Sequence, residues 1–126
     1  MAKTILIVDD ALTVRNLAKY ALSKGGYNIL EAEDGSVGLA VTRSNTVDLI
    51  ISDLNMPKMN GLEMAKAIKS DPKTQNIPIF MLSTVASQEV AQQGKEIGIM
   101  VWIVKPFVPD KLLAAVKKVL EGIPLK

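Results

Sequence analysis

Cysteine and histidine are both absent from this chain of 126 residues. Without cysteine there is no disulfide, no thiolate nucleophile and no Cys-ligated zinc. Without histidine the commonest general base and the commonest transition-metal ligand are gone, and so is any phosphohistidine role. Chemistry must then run on carboxylates, hydroxyls, lysines and backbone groups, a donor set that suits hard, oxygen-seeking cations such as Mg²⁺. Long apolar runs are also missing. Nothing approaches the roughly 20 apolar residues of a membrane span. The run in MAKTILIVDD is too short for a signal peptide, and carboxylates follow it directly. No block of one charge exists either: 15 basic and 13 acidic side chains are interspersed, so neither a nucleic-acid nor a membrane surface is expected. A reducing, cytoplasmic setting fits.

What is present suffices for one folded domain. Hydrophobic residues make up 48% of the chain, enough for a core, and 22% charged residues argue against disorder. Short β-branched runs alternate with amphipathic segments. Strands are expected at Thr4–Val8, Tyr27–Ala32, Val47–Ser52, Ile77–Leu82 and Met100–Val104. The second is shorter in its apolar content and reads as an edge strand. Helices are expected at Leu12–Lys24, closed by Gly25-Gly26, and at Gly35–Arg43, Leu62–Lys69 and Gln88–Glu96. A last helix carries Pro109 in its first turn and a stripe of Leu112, Leu113, Val116, Val119 and Leu120. The helix at Gln88–Glu96 has a weak apolar face. Strict β-α alternation calls for a parallel sheet with helices on both faces, a doubly wound α/β fold. In such sheets ligands sit beyond the carboxyl ends of the strands.

Those ends hold the informative residues. The first strand runs into Asp9-Asp10, the third into Ser52-Asp53, the fourth into Ser83-Thr84 and the fifth into Lys105-Pro106. Singly, each has an ordinary explanation as a cap, turn or solvated side chain. Together they gather three carboxylates, a hydroxyl and an ammonium on one edge. Uncompensated carboxylates a few Å apart repel by roughly 3 kcal/mol per pair at an effective dielectric near 20. One lysine cannot neutralise three acids; a divalent cation can, and Mg²⁺ also accepts a phosphoryl oxygen. Asp53 is the best nucleophile available, since carboxylates form acyl phosphates, and phosphoryl transfer needs chiefly positioning and charge neutralisation.

With ILIVDD, EAEDG, SDLNMPKMNGLEM, IPIFMLST and WIVKPF in this order, the chain resembles the receiver domains of bacterial two-component systems, especially the single-domain chemotaxis receivers of CheY type. The match covers essentially the whole chain. It implies a flavodoxin-like sheet of order 2-1-3-4-5 in a single receiver domain, 1–126, with no output domain. It implies that Asp53 accepts phosphate from a histidine kinase. Asp10, Asp53 and the backbone carbonyl of Asn55 would ligate Mg²⁺, with Asp9 acting through a water. Ser83 stands at the switch position, Thr84 at the neighbouring small-residue position, Lys105 at the phosphoryl-contacting lysine, and Lys105-Pro106 at a peptide bond commonly cis. Trp102 replaces the Tyr or Phe that often acts as a rotameric switch, and Val101 stands where some chemotaxis receivers have Gly. Asn55 and Val85 occupy the positions that tune self-hydrolysis.

The same resemblance implies a monomer that catalyses only its own phosphorylation and slow autodephosphorylation. Its output is binding to a downstream protein, with the flagellar motor switch favoured and a phosphorelay the other role. A phosphorylation-silent scaffold is disfavoured by the joint presence of Asp10, Asp53, Ser83 and Lys105. Other Asp- or phosphate-using classes fit less well. A haloacid-dehalogenase-type phosphohydrolase expects Asp where Asn55 stands, and a flavodoxin phosphate loop would not contain Asp9-Asp10. No GxxxxGK[ST] motif exists for a P-loop. The methionines 56, 59, 64, 81 and 100 read as loop anchors and core filler, Gly61 as a turn residue, and Phe107 as packing.

Overall fold

A computed structural model describes residues 2–84 and 88–121 of the chain. Strands and helices alternate: β1 (Thr4–Val8), α1 (Leu12–Ser23), β2 (Asn28–Ala32), α2 (Gly35–Ser44), β3 (Leu49–Asp53) and α3 (Gly61–Lys69). β4 (Ile79–Ser83), α4 (Gln88–Ile97), β5 (Val101–Val104) and α5 (Pro109–Glu121) follow. All strand pairs are parallel, in the order β2-β1-β3-β4-β5. This is the doubly wound arrangement that the alternation predicts, and β2 is indeed an edge.

The three central strands are apolar at nearly every position because helices cover both faces of the sheet. Alternation along each strand divides the side chains. Ile5, Ile7, Leu49, Ile51, Phe80 and Leu82 point to one face, where Ala18, Ala21 and Leu22 of α1 and Leu112 and Val116 of α5 bury them. Leu6, Val8, Ile50, Ile79 and Met81 point to the other, against Met64, Ala65 and Ile68 of α3 and partly buried residues of α2 and α4. Of the expected α5 stripe, Leu112 and Val116 are fully covered, while Leu113, Val119 and Leu120 are partly so.

Every strand but β1 starts later than the apolar pattern suggests, β2 by a single residue. Val47 is buried yet precedes the ladder, and Asp48 closes the entry instead: Thr4 N–H donates to its Oδ2 at 2.8 Å, and its own N–H donates to Thr4 O at 2.8 Å. Pro78 has no N–H to give, so β4 begins at Ile79, although the Pro78 carbonyl still accepts from Ile50 N–H at 3.0 Å. Met100 lies just before β5 and is 58% exposed, so it is not core filler. Met64 and Met81 are buried, as that reading expects, and Met56 and Met59 pack partly against the core. Gly26, with φ of +74°, turns the chain out of α1.

α3 opens on a full capping box. Asn60 Oδ1 accepts from Glu63 N–H at 2.8 Å, and Glu63 Oε1 accepts from Asn60 N–H at 3.0 Å. The helix thereby starts at Gly61, one residue before the apolar pattern indicates. Asn60→Ala should destabilise the chain by about 1 kcal/mol, and Asn60→Asp by only a few tenths. Urea unfolding, with an unchanged slope and a lower midpoint for the alanine variant, checks this.

Candidate functional site

The β1–β3 register pairs Val8 with Ser52, so the next residue on each strand, Asp9 and Asp53, emerges side by side above the sheet. Asp9, Asp10 and Asp53 each offer a carboxylate oxygen, and these oxygens lie within 4.8 Å of one another. Asp9 and Asp53 are buried, whereas Asp10 is exposed. From β5, Lys105 reaches across with its Nζ 2.9 Å from Asp9 Oδ2 and 3.0 Å from Asp53 Oδ1. The structure therefore brings together the three acids and the lysine that the strand ends single out.

Their surroundings differ. Asp9 is engaged on every side: its N–H donates to Ala32 O at 3.0 Å, and its Oδ1 accepts from Ala11 N–H at 2.8 Å. Its carbonyl accepts from Arg15 Nη1. Asp53 Oδ1 accepts from Leu54 N–H at 2.9 Å in addition to facing Lys105. Among the described residues no donor reaches Asp53 Oδ2 or either oxygen of Asp10. Those unpartnered oxygens are the ones free to meet something cationic or electrophilic.

Burial pushes the Asp53 carboxyl above its usual range; the Lys105 hydrogen bond opposes this, and the charge of Asp9 adds to it. Burial would pull Lys105 down, yet its bonds to Asp9 and Asp53 outweigh this and leave it raised. An ion pair ordinarily lowers its acid and raises its base, so the two directions look inconsistent. They are reconciled by burial, which outweighs the share of the one ammonium that Asp53 receives. The pocket is short of positive charge.

Ser83 is the last residue of β4 and is buried, while Thr84 beyond it is exposed. The Ser83 carbonyl accepts from Lys105 N–H at 2.8 Å, so these two positions are tied through the backbone. The Lys105–Pro106 bond is cis. Asn55 follows in the exposed loop after β3, and Val85 lies outside the described residues. Trp102 sits half-buried on β5 against α4, where a Cβ on Gly94 would come within 2.8 Å of its ring. Its Nε1 is buried with no acceptor among the described residues. Phe107 is buried in the α1–α5 side of the core.

Two features escape a reading by motif. Gly61 is more than a turn residue: a Cβ there would stand 2.3 Å from Asp53 O and 2.7 Å from Met81 Sδ. Only glycine lets α3 start so close behind the acid. The second is Arg15, whose Nε donates to Glu31 Oε1 at 3.1 Å while its Nη1 holds the Asp9 carbonyl. A single arginine on a helix carries no motif, although its i+4 neighbour Lys19, which reaches Glu31 Oε2 at 3.1 Å, hints at a shared acid on the next strand.

With this geometry established, the comparisons are decisive. The response regulator receiver domain family matches residues 5–117. The chain belongs to the response regulator receiver domains. It is 32% identical to the chemotaxis protein CheY of Pseudomonas aeruginosa over 120 residues, covering 94% of this chain and 97% of that protein. It is 41% identical over 121 residues to the phosphate regulon transcriptional regulatory protein PhoB of the same organism, covering 96% of this chain. The chain spans only about half of PhoB, 53% of its length. Among solved structures, CheY4 of Vibrio cholerae superimposes with a TM-score of 0.89 at 39% identity, covering 95% of this chain and all of that one. The fold is thus that of CheY, flavodoxin-like and with the expected strand order.

The Glu31 cluster gives a pH dependence of stability. The Lys19 hydrogen bond, together with Arg15, holds the Glu31 carboxyl below its ordinary value. A lowered acid stabilises the fold at pH above its unfolded value, about 4.3, and that contribution is lost as pH falls through the lower folded value. The stability gap between the unsubstituted chain and Glu31→Gln should therefore be largest at neutral pH. After screening at this partly exposed site the gap should be at most about 1 kcal/mol. Denaturant midpoints measured from pH 7 down to pH 3 should show it closing.

Proposed function

We propose that this receiver accepts a phosphoryl group on Asp53 from the phosphohistidine of a histidine kinase, with Mg²⁺ bound beside it, and passes the signal on by changing its binding to a partner protein. The observation that carries the reading is the charge shortage in the pocket: three carboxylates within 4.8 Å of one another and one shared ammonium. The donor set fits a hard cation, since all three groups are carboxylates and the Asp10 oxygens and Asp53 Oδ2 have no donor among the described residues. Asp10, Asp53 and the Asn55 carbonyl would hold Mg²⁺, with Asp9 behind them through a water. Bound Mg²⁺ supplies neutralisation of the phosphoryl charge.

The rest is done by the chain. Asp53 Oδ2 attacks phosphorus in line; the O–P bond forms as the donor's N–P bond breaks, and the imidazole leaves. Lys105 stands 3.0 Å from the other Asp53 oxygen, ready to donate to the new phosphoryl oxygens. Ser83, tied to Lys105 through the backbone, is the second donor, and exposed Thr84 borders the same region. An apolar hollow of about 300 Å³ lined by Val14, Leu17, Thr84, Lys105, Pro106 and Phe107 opens beside Lys105 and would seat the phosphodonor. No turnover of external substrate is part of this scheme: the chain promotes only its own phosphorylation and slow loss of the group, tuned at Asn55 and Val85.

Signalling follows from energetics. Each charge-assisted hydrogen bond to the phosphoryl group is worth roughly 1.5–3 kcal/mol. Leaving the Trp102 N–H buried and unpaired costs about 1–3 kcal/mol. The packing of Trp102 against Gly94 is therefore within reach of being overturned, and the response should appear on α4, β5 and α5. The CheY relatives, matched over nearly their whole length, favour chemotaxis and the flagellar motor switch as the output. The higher identity to the receiver half of PhoB supports a second reading, a role in another phosphorelay.

Incubation with acetyl phosphate and MgCl₂ should add one phosphoryl mass to the intact chain; the gain should vanish in Asp53→Asn and with EDTA. A gain that persists in Asp53→Asn overturns the assignment. Trp102 is the sole tryptophan, so its emission reports the conformational response without interference. Ser83→Ala should still take up the phosphoryl group, yet need about tenfold more beryllofluoride for the same Trp102 emission change, as loss of one such bond implies. An unaltered titration would remove Ser83 from the switch.

A further inference from the structure

Asp10 is the exposed member of the acidic cluster, and no donor among the described residues orients its carboxylate. Its direction is set by the backbone that precedes it. The Asp9 carbonyl belongs to the Asp9–Asp10 peptide, which is planar, so fixing that oxygen fixes the plane from which Asp10 departs. Arg15 does the fixing. Its Nη1 donates to the Asp9 carbonyl, and its guanidinium is mostly buried, the side chain being 15% exposed. It is itself tethered, because Nε donates to Glu31 Oε1 at 3.1 Å, and Lys19 holds the other Glu31 oxygen at 3.1 Å. The opposite end of Asp9 is anchored by its N–H on Ala32 O at 3.0 Å, one residue beyond Glu31 on β2.

We propose that Arg15, tethered by Glu31, is a positioning residue that sets the Asp9–Asp10 peptide so that Asp10 faces the divalent cation. The inference rests on the cation site of the proposed function and adds to it a partner from β2. It also makes a prediction of unusual sign. Arg15 brings positive charge close to the acids, so on electrostatic grounds alone its removal would tighten cation binding. Removal of a positioning group weakens it instead, by 10- to 100-fold for typical outer partners of metal ligands. The fork geometry matters as well: a lysine keeps the charge, but its single ammonium lacks the planar fork that holds Glu31 and the Asp9 carbonyl in fixed directions.

The test is Mg²⁺ titration of the unphosphorylated chain by calorimetry, with melting in EDTA to establish that each variant is folded. Arg15→Gln should bind Mg²⁺ about tenfold more weakly. Arg15→Lys should also be weakened, and Glu31→Gln by a smaller factor. Glu31→Gln combined with Arg15→Gln should be no worse than Arg15→Gln alone, since the tether acts through the arginine. Equal or tighter binding in Arg15→Gln, full rescue by Arg15→Lys, or additive losses in the double variant would each overturn the inference. If Arg15→Gln does not fold, Arg15→Lys and Glu31→Gln decide it. Absence of saturable Mg²⁺ binding in the unsubstituted chain would overturn the proposed function itself, and this inference with it.

Discussion

Charge is the constraint around which this molecule is organised. Burying carboxylates at the end of a closely packed sheet is costly, and here Asp9 and Asp53 are both buried while Asp10 stands at their rim. Lys105 relieves part of the repulsion by bridging two of them, at 2.9 and 3.0 Å. It cannot serve Asp10 as well, and Asp53 stays reluctant to ionise. The pocket is stable enough to exist and is left short of positive charge. The proposed cation would meet that shortage, which a site fully neutralised by its own side chains would not have.

The fold supplies this imbalance cheaply because parallel strands end together. Once Val8 aligns with Ser52 and Ser83 with Val104, the next residues of β1 and β5 converge on the end of β3. Around them the backbone is held by specific devices and not by apolar packing alone. Gly61 lets α3 begin against the Asp53 carbonyl, and its N–H donates to Leu54 O at 2.9 Å. Gly35 N–H donates to Met59 O at 3.1 Å, pinning the far side of the same loop to α2. Lys58 in that loop takes a positive φ of 66°, a conformation residues other than glycine adopt uncommonly, and one that such anchoring sustains.

Much of this was readable before any coordinates. The strands announce themselves because both sheet faces are covered, so their apolar runs are nearly unbroken, and the acids stand out because they interrupt those runs at the ends. The strand starts were less legible: Val47 is buried but unpaired, and composition registers burial while strand limits depend on hydrogen bonds. Met100 shows the converse, an apolar residue left outside. Gly61 reads as a turn until the approach of Asp53 O is seen, and Arg15 draws no reading until its acceptors at Asp9 and Glu31 are known. Contacts across elements leave no local pattern, which is why these residues needed the structure.

Trp102 shows how such contacts bear on switching. A tyrosine turned inward keeps a hydroxyl that can be satisfied at its tip, whereas an indole carries its only donor on the side of the ring. Here that donor is buried without an acceptor among the described residues, and the ring rests where any side chain larger than glycine at position 94 would collide with it. The ring is therefore held by apolar packing against α4, whose apolar side chains Val90 and Ile97 are only partly buried. Under the proposed switch, contacts worth a few kcal/mol at Ser83 and Lys105, the residues just beyond Leu82 and Val104, would be of the size needed to loosen that packing.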